Sequence, residues 1–250
     1  MTVDKSPERI QKIFNTIAKK YDFLNHLLSL GMDRCWRRQT VRRATPKGDG
    51  PILDVCTGTA DFAAAYAKRY PERQIFGLDF SSEMIAVGRQ RIKRTKLESQ
   101  VTLMEGDALR LPFETDMFAL VSVSYGIRNT SDPVQALAEM VRVCKPGGVV
   151  AILEFSMPEH GIFAFFYRFY FRHILPRVGA FFSGERLGAY RHLHESVQTF
   201  PQGPKLVQMM ENSGLKNIQQ FPMTFGTVTL STGEKVENGD SGEKPERSSS

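Results

Sequence analysis

The stretch ILDVCTGTADFA, residues 52–63, places an acid near the end of an apolar run and follows it with a turn of small residues. Small residues let the backbone approach a ligand closely, and the amides that open a following helix favour a polar or anionic group. The acid is Asp54, and the turn contains Thr57, Gly58, Thr59 and Ala60. The pattern predicts a ligand site, although many strand-to-helix turns of this kind bind nothing.

Further polar groups follow at intervals that suit an adenosyl ligand. Asp79 lies about 20 residues past the turn, the spacing at which a carboxylate accepts ribose hydroxyls. Asp107 and the backbone amide of Ala108 suit the amine and a ring nitrogen of adenine. The segment VSVSYGIRN then offers Ser124, Tyr125, Arg128 and Asn129.

Each of these acids also has an ordinary structural interpretation. Asp79 could cap a helix that starts at Ser81, and Asp107 could stabilise a turn. Taken together, the groups fit one adenosyl ligand better than several unrelated roles. The turn sequence GTAD lacks the glycine pattern that admits a pyrophosphate, so the residues favour S-adenosylmethionine over a nicotinamide dinucleotide.

Strands and helices must alternate to bring these groups together. The pattern predicts strands at 52–55, 75–79, 101–104, 118–123 and 149–154, and helices at 60–69, 82–95 and 132–144. KPGG is predicted as the turn before the last strand, and residues 7–44 as helical with a break at Gly31. This alternation predicts a parallel sheet with helices on both faces, whose carboxyl strand ends share one crevice.

The charge and the cysteine content indicate which partners and which cellular compartment suit the protein. The 250 residues carry a net charge of +6, and residues 1–50 hold eleven bases against five acids. Such an arm could contact nucleic acid or anionic lipid, or form a solvated helical face. The widely spaced Cys35, Cys56 and Cys144 suit a reducing cytosol. No leader opens the chain and no apolar run reaches the roughly 18 residues that span a bilayer, so we expect a cytoplasmic protein that is at most peripheral to the membrane.

Two long segments carry a further signal, YDFLNHLLSLGMDRCW at 21–36 and RVCKPGGVVAILEFS at 142–156, with YGIRN at 125–129 and AYRHLHESVQTFP at 189–201 beside them. Together they resemble the ubiquinone/menaquinone biosynthesis C-methyltransferase family over about Ile10 to Lys235. The chain departs from the usual family pattern at Leu24 (usually Met), Asp33 (usually His), Cys144 (usually aliphatic) and Ala60 (more often Gly). A role that depends on the usual histidine at position 33 therefore cannot be carried over.

The resemblance implies an α/β fold of the class I S-adenosylmethionine-dependent methyltransferases, with a Rossmann-like, mostly parallel sheet and a cap of N-terminal helices and an aromatic helical insert. It implies that S-adenosylmethionine methylates a ring carbon of demethylmenaquinol to give menaquinol, without a metal. The equivalent C-methylation in ubiquinone biosynthesis and a non-catalytic S-adenosylmethionine-binding protein stay open. The predicted divisions are an N-terminal cap at 1–50, a cofactor-binding core at 51–157, an acceptor cap at 158–200, a helix and strands completing the core at 201–235, and a disordered tail at 236–250.

Ring carbon is a poor nucleophile, so a base or a cation must act on the hydroxyl group of the acceptor. Arg128 suits a cation that stabilises a phenolate, because its guanidinium stays charged, while a loop-closing salt bridge is the alternative. The other candidates for the acceptor side are Asn129, Tyr21, Asn25, Tyr190, His192 and His194. Either histidine could also be an ordinary surface or hydrogen-bonded residue.

The segment GIFAFFYRFYFRHILPRVGAFF, residues 161–182, is dense in aromatic residues and contains Arg168, Arg172 and Arg177. That composition suits a cover over an apolar pocket with cations able to face lipid headgroups, or ordinary packing over the sheet. The predicted partners are a polyprenyl quinol and the membrane surface. Nucleic acid is not expected, because the fourth-strand loop lacks a Pro-Pro-aromatic clamp and no binding module is evident. Whether the chain forms a homo-oligomer is left open.

Overall fold

A seven-stranded sheet lies at the centre of the protein. The structure, a computed structural model, describes residues 6–158, 164, 165, 167, 169, 170, 173 and 189–236. The strands are β1 (Ile52–Val55), β2 (Ile75–Asp79), β3 (Val101–Glu105), β4 (Phe118–Ser124), β5 (Cys144–Phe155), β6 (Leu215–Met223) and β7 (Val228–Lys235). Their order is β3-β2-β1-β4-β5-β7-β6, with β1 to β5 parallel and β7 antiparallel to β5 and β6. The strand order switches direction between β1 and β4, where open α/β sheets bind their ligands.

Helices cover both faces of this sheet, as the alternating pattern predicts. They are α1 (Pro7–Ile17), α2 (Tyr21–Leu28), α3 (Asp33–Arg43), α4 (Asp61–Arg69), α5 (Ser82–Arg94), α6 (Pro133–Val143), α7 (Ala189–Thr199) and α8 (Pro204–Asn212). One apolar cluster packs α3, α4 and α5 against the sheet, and a second packs α6 and α8 against it. The Rossmann-like, mostly parallel architecture is therefore confirmed.

Local sequence signals explain where the helices beside the crevice begin. Ser81 caps α5, since its hydroxyl accepts a hydrogen bond from the Met84 amide at 3.2 Å. Asp132 caps α6 by accepting bonds from two backbone amides, and Pro133 occupies the first turn, where its missing N–H costs nothing. Both caps lie directly after loops that line the crevice, so they hold those loops in place.

The prediction for KPGG is wrong in one respect. The last parallel strand begins at Cys144, before this segment, and not at residue 149. Cys144 pairs with Phe118, the chain then bulges out with Gly147 at a φ of 71°, and pairing resumes between Val149 and Leu120. The segment is thus a bulge within a strand, which periodicity cannot distinguish from a turn between elements.

The N-terminal helical region is broken twice, at the predicted position near Gly31 and by a 3₁₀ turn at Ala18–Lys20. Among the helices of the described residues, none combines the length and the apolar character needed to cross a membrane. Three predictions lie outside the described residues: the side chains of Tyr190 and His194, most of the aromatic insert, and the tail from residue 237.

Candidate active site

A cavity of about 110 Å³ lies at the carboxyl ends of the parallel strands. Five residues predicted to bind the cofactor line it, namely Gly58, Asp79, Asp107, Ala108 and Ser124. Helix α1 covers the cavity with Gln11 and Phe14, and the Gln11 amide donates to the carbonyl oxygen of Phe80 at 3.0 Å. The tertiary structure therefore brings the predicted polar groups of four strand ends to one site.

Asp79 shapes the turn that follows β1. Its two carboxylate oxygens accept hydrogen bonds from the Gly58 amide at 2.8 Å and the Ser81 amide at 2.9 Å. Burial raises the pKa of Asp79, although these amides oppose the shift. Gly58 has a φ of 55° and no atom within 4 Å of the position of a Cβ, so it presents bare backbone to the cavity.

Asp54 lies beneath the turn and outside the walls of both cavities described here. Its carboxylate accepts hydrogen bonds from the hydroxyls of Thr57 at 2.7 Å and Ser122 at 3.1 Å. Because the side chain is buried, its pKa is raised to about 7. Asp54 is thus placed to orient Thr57, and has no direct contact with the space that a ligand would fill.

Ala60 adopts a left-handed conformation with a φ of 62° at the start of α4. Glycine adopts this conformation without strain, which explains why glycine is more usual than alanine at position 60. The methyl group of Ala60 is fully buried in the core cluster on that face. Burial of the methyl group offsets part of the backbone strain.

A second cavity of about 470 Å³ adjoins the first. It is enclosed by the N-terminal helices, the turn after β1 with Thr57 and Thr59, the ends of β4 and β5, α7, and the turn between β6 and β7. Its walls include the apolar side chains of Ile13, Ile17, Leu28, Met32, Trp36 and Phe155. Both cavities share the wall residues Phe14, Tyr21, Cys56, Gly58, Ser124, Tyr125 and Asn129. A ligand in either cavity would therefore meet a ligand in the other at this wall.

The loop after β4 approaches the loop after β1 closely. A Cβ on Gly126 would lie 2.3 Å from the Cβ of Cys56, so only glycine fits there. Tyr125 has a φ of 59°, which is rare for a bulky residue and occurs mostly at functional sites. Its ring packs against Phe155 with centroids 4.6 Å apart, and its buried hydroxyl has no hydrogen-bond partner.

Arg128 is buried in an ion pair that lies behind the larger cavity. One guanidinium nitrogen is 2.6 Å from a carboxylate oxygen of Glu154, and the guanidinium lies over the Phe155 ring at 5.4 Å. The pKa of Glu154 is raised by burial, and Arg128 opposes that shift. Arg128 lines the cavity, and its Nε is buried without a hydrogen-bond partner. The salt bridge expected as the alternative therefore exists, and it leaves one N–H of Arg128 without a hydrogen-bond partner.

Asn129, His192 and Tyr21 come together beside Arg128. The Nε2 of His192 and the Oδ1 of Asn129 are 3.1 Å apart, and both side chains are almost fully buried. Tyr21 lies in the shared wall, and burial raises its pKa despite a hydrogen bond with Asn25. The structure therefore brings all four residues predicted as catalytic, and Asn25, to one cavity.

Asp33, which replaces the usual histidine, is itself paired with a histidine. Its carboxylate is 2.8 Å from His26 Nδ1 and accepts a bond from the Ser29 hydroxyl at 3.0 Å. Burial raises the pKa of Asp33, but the hydrogen bonds outweigh it and the net shift is downward. An imidazole is thus present beside position 33 although the chain has no histidine there.

A polar network that the sequence did not indicate ties the turn after β1, which we call the cofactor turn for its predicted role, to the helices. The Thr59 hydroxyl donates to Asp22 at 2.6 Å, and Arg91 Nε donates to the Thr59 carbonyl at 2.8 Å. Arg91 also pairs with Asp22 and Asp61, and Arg37 pairs with Asp61 at 2.7 Å. Glu154 was equally missed, although it is the one charged residue in the apolar run VVAILEF.

Comparison with solved structures shows the fold. The chain superposes with a TM-score of 0.64 on a Thermotoga maritima S-adenosylmethionine-dependent methyltransferase at 17% identity, covering 90% of this chain and 99% of that one. A Methanococcus maripaludis putative methyltransferase gives 0.62 at 16% identity, with coverages of 89% and 94%. The phosphoethanolamine N-methyltransferase 2 of Haemonchus contortus, solved with S-adenosylhomocysteine, gives 0.58 at 16% identity, covering 80% of this chain and 52% of that one. These likenesses agree with the class I methyltransferase fold.

Comparison with curated proteins shows the family. The ubiquinone/menaquinone biosynthesis C-methyltransferase UbiE of Geotalea daltonii is 43% identical over 229 residues, which cover 91% of this chain and 97% of that protein. The demethylmenaquinone methyltransferase of Deinococcus radiodurans is 42% identical, with coverages of 91% and 93%. The sequence model of the ubiE/COQ5 methyltransferase family matches residues 1–235. The chain therefore belongs to the ubiE/COQ5 methyltransferase family.

Proposed function

We propose that this enzyme methylates a ring carbon of demethylmenaquinol to give menaquinol. Family membership makes it an S-adenosylmethionine-dependent methyltransferase. The observation that carries the choice of acceptor is the pair of adjoining cavities, a small one with polar strand-end groups and a large one with mostly apolar walls. A cofactor in the first and an apolar ring with a prenyl chain in the second would meet at the wall they share.

The residues of the smaller cavity suit S-adenosylmethionine, which supplies an electrophilic methyl group on a sulfonium. Asp79 would accept the ribose hydroxyls, and Asp107 with the Ala108 amide would hold the adenine. Ser124 fits a ligand contact because its hydroxyl is buried without a hydrogen-bond partner. Thr57, Gly58 and Thr59 would hold the methionyl end, with Asp54 supporting Thr57 from beneath.

Arg128 and the residues around it would activate the hydroxyl group of the acceptor. The unpartnered Nε of Arg128 would donate a hydrogen bond to the acceptor oxygen as negative charge develops on it, while Glu154 fixes the guanidinium. His192, held by Asn129, would accept the hydroxyl proton, and Tyr21 in the shared wall would keep the ring next to the cofactor. Charge on that oxygen is shared with the neighbouring ring carbon, so that carbon would accept the methyl group that S-adenosylmethionine supplies. The hydrogen on that carbon would then be lost as a proton, and the acceptor oxygen would be protonated again, which restores the aromatic quinol. The enclosing helices exclude water, which strengthens each of these interactions.

A radiolabelled methyl-transfer assay tests the proposal. Demethylmenaquinol and the demethylated ubiquinol precursor are offered side by side with labelled S-adenosylmethionine. We expect label on the naphthoquinol ring, at a rate at least about tenfold above that of the benzoquinol. A preference for the benzoquinol would favour the ubiquinone alternative, which the name of the Geotalea daltonii relative also allows. Cofactor binding without turnover on either quinol would favour a non-catalytic protein.

We place the mouth of the larger cavity on a lipid bilayer, because a polyprenyl acceptor resides there. Five exposed apolar side chains lie on the segments that enclose this cavity, including the segment that contributes Tyr167 and Tyr170 to its wall: Phe23, Leu30, Phe165, Phe169 and Phe225. Leu30 lines the cavity although it is 85% exposed, so it lies at the opening. Exposed apolar groups around a pocket mouth are typical of an interaction site.

Co-sedimentation with anionic lipid vesicles tests this placement. The double variant Leu30→Asp/Phe225→Asp should bind vesicles at least about tenfold more weakly, yet keep its activity on an acceptor with a short, water-soluble chain. Val134→Asp is the matched control, because Val134 is 58% exposed on α6 and lines neither cavity. Equal vesicle binding by the double variant and the wild type would show that this face does not meet the bilayer.

A further inference from the structure

The turn between β6 and β7 brings two polar residues, Thr224 and Thr227, to the wall of the larger cavity. Thr227 lines that cavity and is only 3% exposed. Its backbone is fully engaged, since its amide donates to the Thr224 carbonyl at 3.2 Å and its carbonyl accepts from the Ser156 amide at 2.9 Å. Its hydroxyl, in contrast, is buried without a hydrogen-bond partner.

The neighbouring polar groups do not satisfy this hydroxyl. The indole N–H of Trp36 points to the same turn, but it donates to the Thr224 hydroxyl at 2.8 Å. Phe155, which pairs with Val228 in the sheet, offers only an aromatic ring. Burying a hydroxyl without a partner is costly, so a threonine at this position is explained best by a ligand that completes the bond.

Thr227, Tyr125 and Phe155 all line the larger cavity. Tyr125 packs on the Phe155 ring with centroids 4.6 Å apart, and Thr227 precedes the residue that pairs with Phe155 in β7. Arg128 lies over the same ring at 5.4 Å. Arg128 and Thr227 thus line one cavity, and each has a buried polar atom without a hydrogen-bond partner, so an aromatic acceptor with two ring oxygens offers one oxygen to each residue.

We infer that Thr227 is a specificity-determining residue whose hydroxyl binds the second ring oxygen of the acceptor, the one para to the oxygen activated at Arg128. The inference rests on the proposed function for the identity of the acceptor. On this inference, Thr227 makes the enzyme select aromatic 1,4-diols over monohydric phenols. A site built to bond a hydroxyl discriminates strongly against an analogue that lacks it, because its own polar group is then left unpaired.

Two acceptors and three variants test the inference. The acceptors are demethylmenaquinol and a prenylated 1-naphthol that keeps the hydroxyl next to the methylated carbon and lacks the one para to it. The variants are Thr227→Val, which removes the hydroxyl at constant shape, Thr227→Ser, which keeps it, and Thr40→Val. Thr40 is the matched control, since its hydroxyl is also buried and unpartnered but lines neither cavity.

The dissociation constant of each acceptor is measured by anaerobic calorimetry on protein saturated with S-adenosylhomocysteine, together with KM and kcat. We expect Thr227→Val to weaken binding of the diol about tenfold, with kcat changed less than about threefold and binding of the naphthol unchanged. Thr227→Ser and Thr40→Val should bind both acceptors as the wild type does.

The outcomes separate this inference from the proposed function. If the wild type binds the diol selectively and Thr227→Val abolishes that selectivity, the inference holds even where no methyl is transferred, and only the proposed function fails. If methyl transfer occurs but Thr227→Val binds both acceptors as the wild type does, the inference is wrong and the proposed function stands. If the wild type binds the naphthol as tightly as the diol, the second oxygen is not recognised and the inference is again wrong.

Discussion

Asp79 has two tasks at the residue scale, since it holds the cofactor turn and faces the smaller cavity. Asp79→Asn keeps the side-chain shape but removes the charge that ribose hydroxyls would bond. We expect S-adenosylmethionine to bind at least about 1.5 kcal/mol more weakly, as for hydrogen bonds to a charged group. Calorimetry measures the loss directly. Glu105→Gln is the control, because Glu105 is the exposed neighbour of Asp79 in β3, and affinity equal to that of the wild type in Asp79→Asn would remove the ribose assignment.

Arg128 cannot be tested by its removal alone. Arg128→Ala would leave Glu154 buried and unpaired, at a cost of about 3–5 kcal/mol to folding. The double variant Arg128→Met/Glu154→Gln removes both charges together and should melt within a few degrees of the wild type. Its turnover should fall at least about a hundredfold, because one donor to a developing anion contributes about 2–4 kcal/mol.

A second ion pair provides a matched control for the double variant Arg128→Met/Glu154→Gln. Arg142 and Glu139 form an ion pair on α6 at 2.7 Å and line neither cavity. Arg142→Met/Glu139→Gln should therefore leave turnover per folded molecule unchanged. Normal turnover in the Arg128 double variant would limit Arg128 to the structural salt bridge.

Asp54 predicts a pH dependence of stability. Its folded pKa of about 7 exceeds the unfolded value of about 3.9, so the unfolded chain loses this proton first. Stability from this group is therefore present below about pH 4 and is lost as the pH rises towards 7. Asp54→Asn cannot ionise, and its free energy of unfolding relative to the wild type should rise by about 3 kcal/mol between pH 4.5 and 8.

Urea denaturation at the two pH values measures that change. Asp49→Asn serves as the control, because Asp49 is exposed. A difference between Asp54→Asn and the wild type that does not vary with pH would show that Asp54 is ionised throughout this range in the folded protein.

At the scale of elements, the N-terminal helices and the cofactor turn act as one unit. Asp22 of α2 accepts from Thr59, and Arg91 of α5 donates to the Thr59 carbonyl, so the turn is held from two helices. Helix α1 adds a contact over the smaller cavity, where the Ser81 hydroxyl donates to Asn15 at 2.5 Å. We therefore expect cofactor affinity to depend on residues that do not line the smaller cavity.

Substitutions that remove hydrogen bonds from this network should weaken the binding of S-adenosylmethionine and leave the fold intact. We expect Asp22→Asn and Arg91→Met each to raise the dissociation constant of S-adenosylmethionine about tenfold, since each removes a charged hydrogen bond to the turn. Titration calorimetry at fixed ionic strength measures the constants. Arg142→Met, far from the turn, is the control. Wild-type affinity in both variants would mean that the turn keeps its shape without the helices.

At the scale of the whole molecule, β7 ends at Lys235, whose side chain fastens the end of the strand to its neighbours. Lys235 donates to Asp116 at 2.6 Å and to the Cys144 carbonyl at 2.9 Å, and the Val236 amide donates to the Gly214 carbonyl at 3.3 Å. Residues 237–250 contain no Val, Leu, Ile, Met or aromatic residue that could add to the apolar core.

Truncation at two points tests this boundary. A chain that ends after Val236 should melt and turn over like the full chain. A chain that ends after Glu234 loses the Lys235 contacts and should melt several degrees lower, because about 1 kcal/mol corresponds to about 2–4 °C at this size. Thermal unfolding and the methyl-transfer assay measure both. Loss of activity on removal of 237–250 alone would show that the tail contributes to function.

Local pattern was enough to predict the parallel part of the sheet and the edge at which its polar strand-end residues meet. The alternation of strands and helices predicts β1 and β2 with their observed bounds, because period and turn residues are properties of neighbouring positions. Parallel strands then bring their carboxyl ends to one edge, so Asp79, Asp107 and Ser124 had to meet. Their role as ligands of the cofactor stays a prediction.

The acceptor side was decided by the tertiary structure. Glu154 behind Arg128, Arg91 against Asp22, and the unpartnered hydroxyl of Thr227 depend on side chains that are far apart in the chain and meet through packing. No period in the sequence relates such residues, since each contact depends on how helices and turns pack over the sheet edge. Even Asp54, which the sequence presented as a ligand, became a support for Thr57, because its position in a buried strand sets the direction of its side chain.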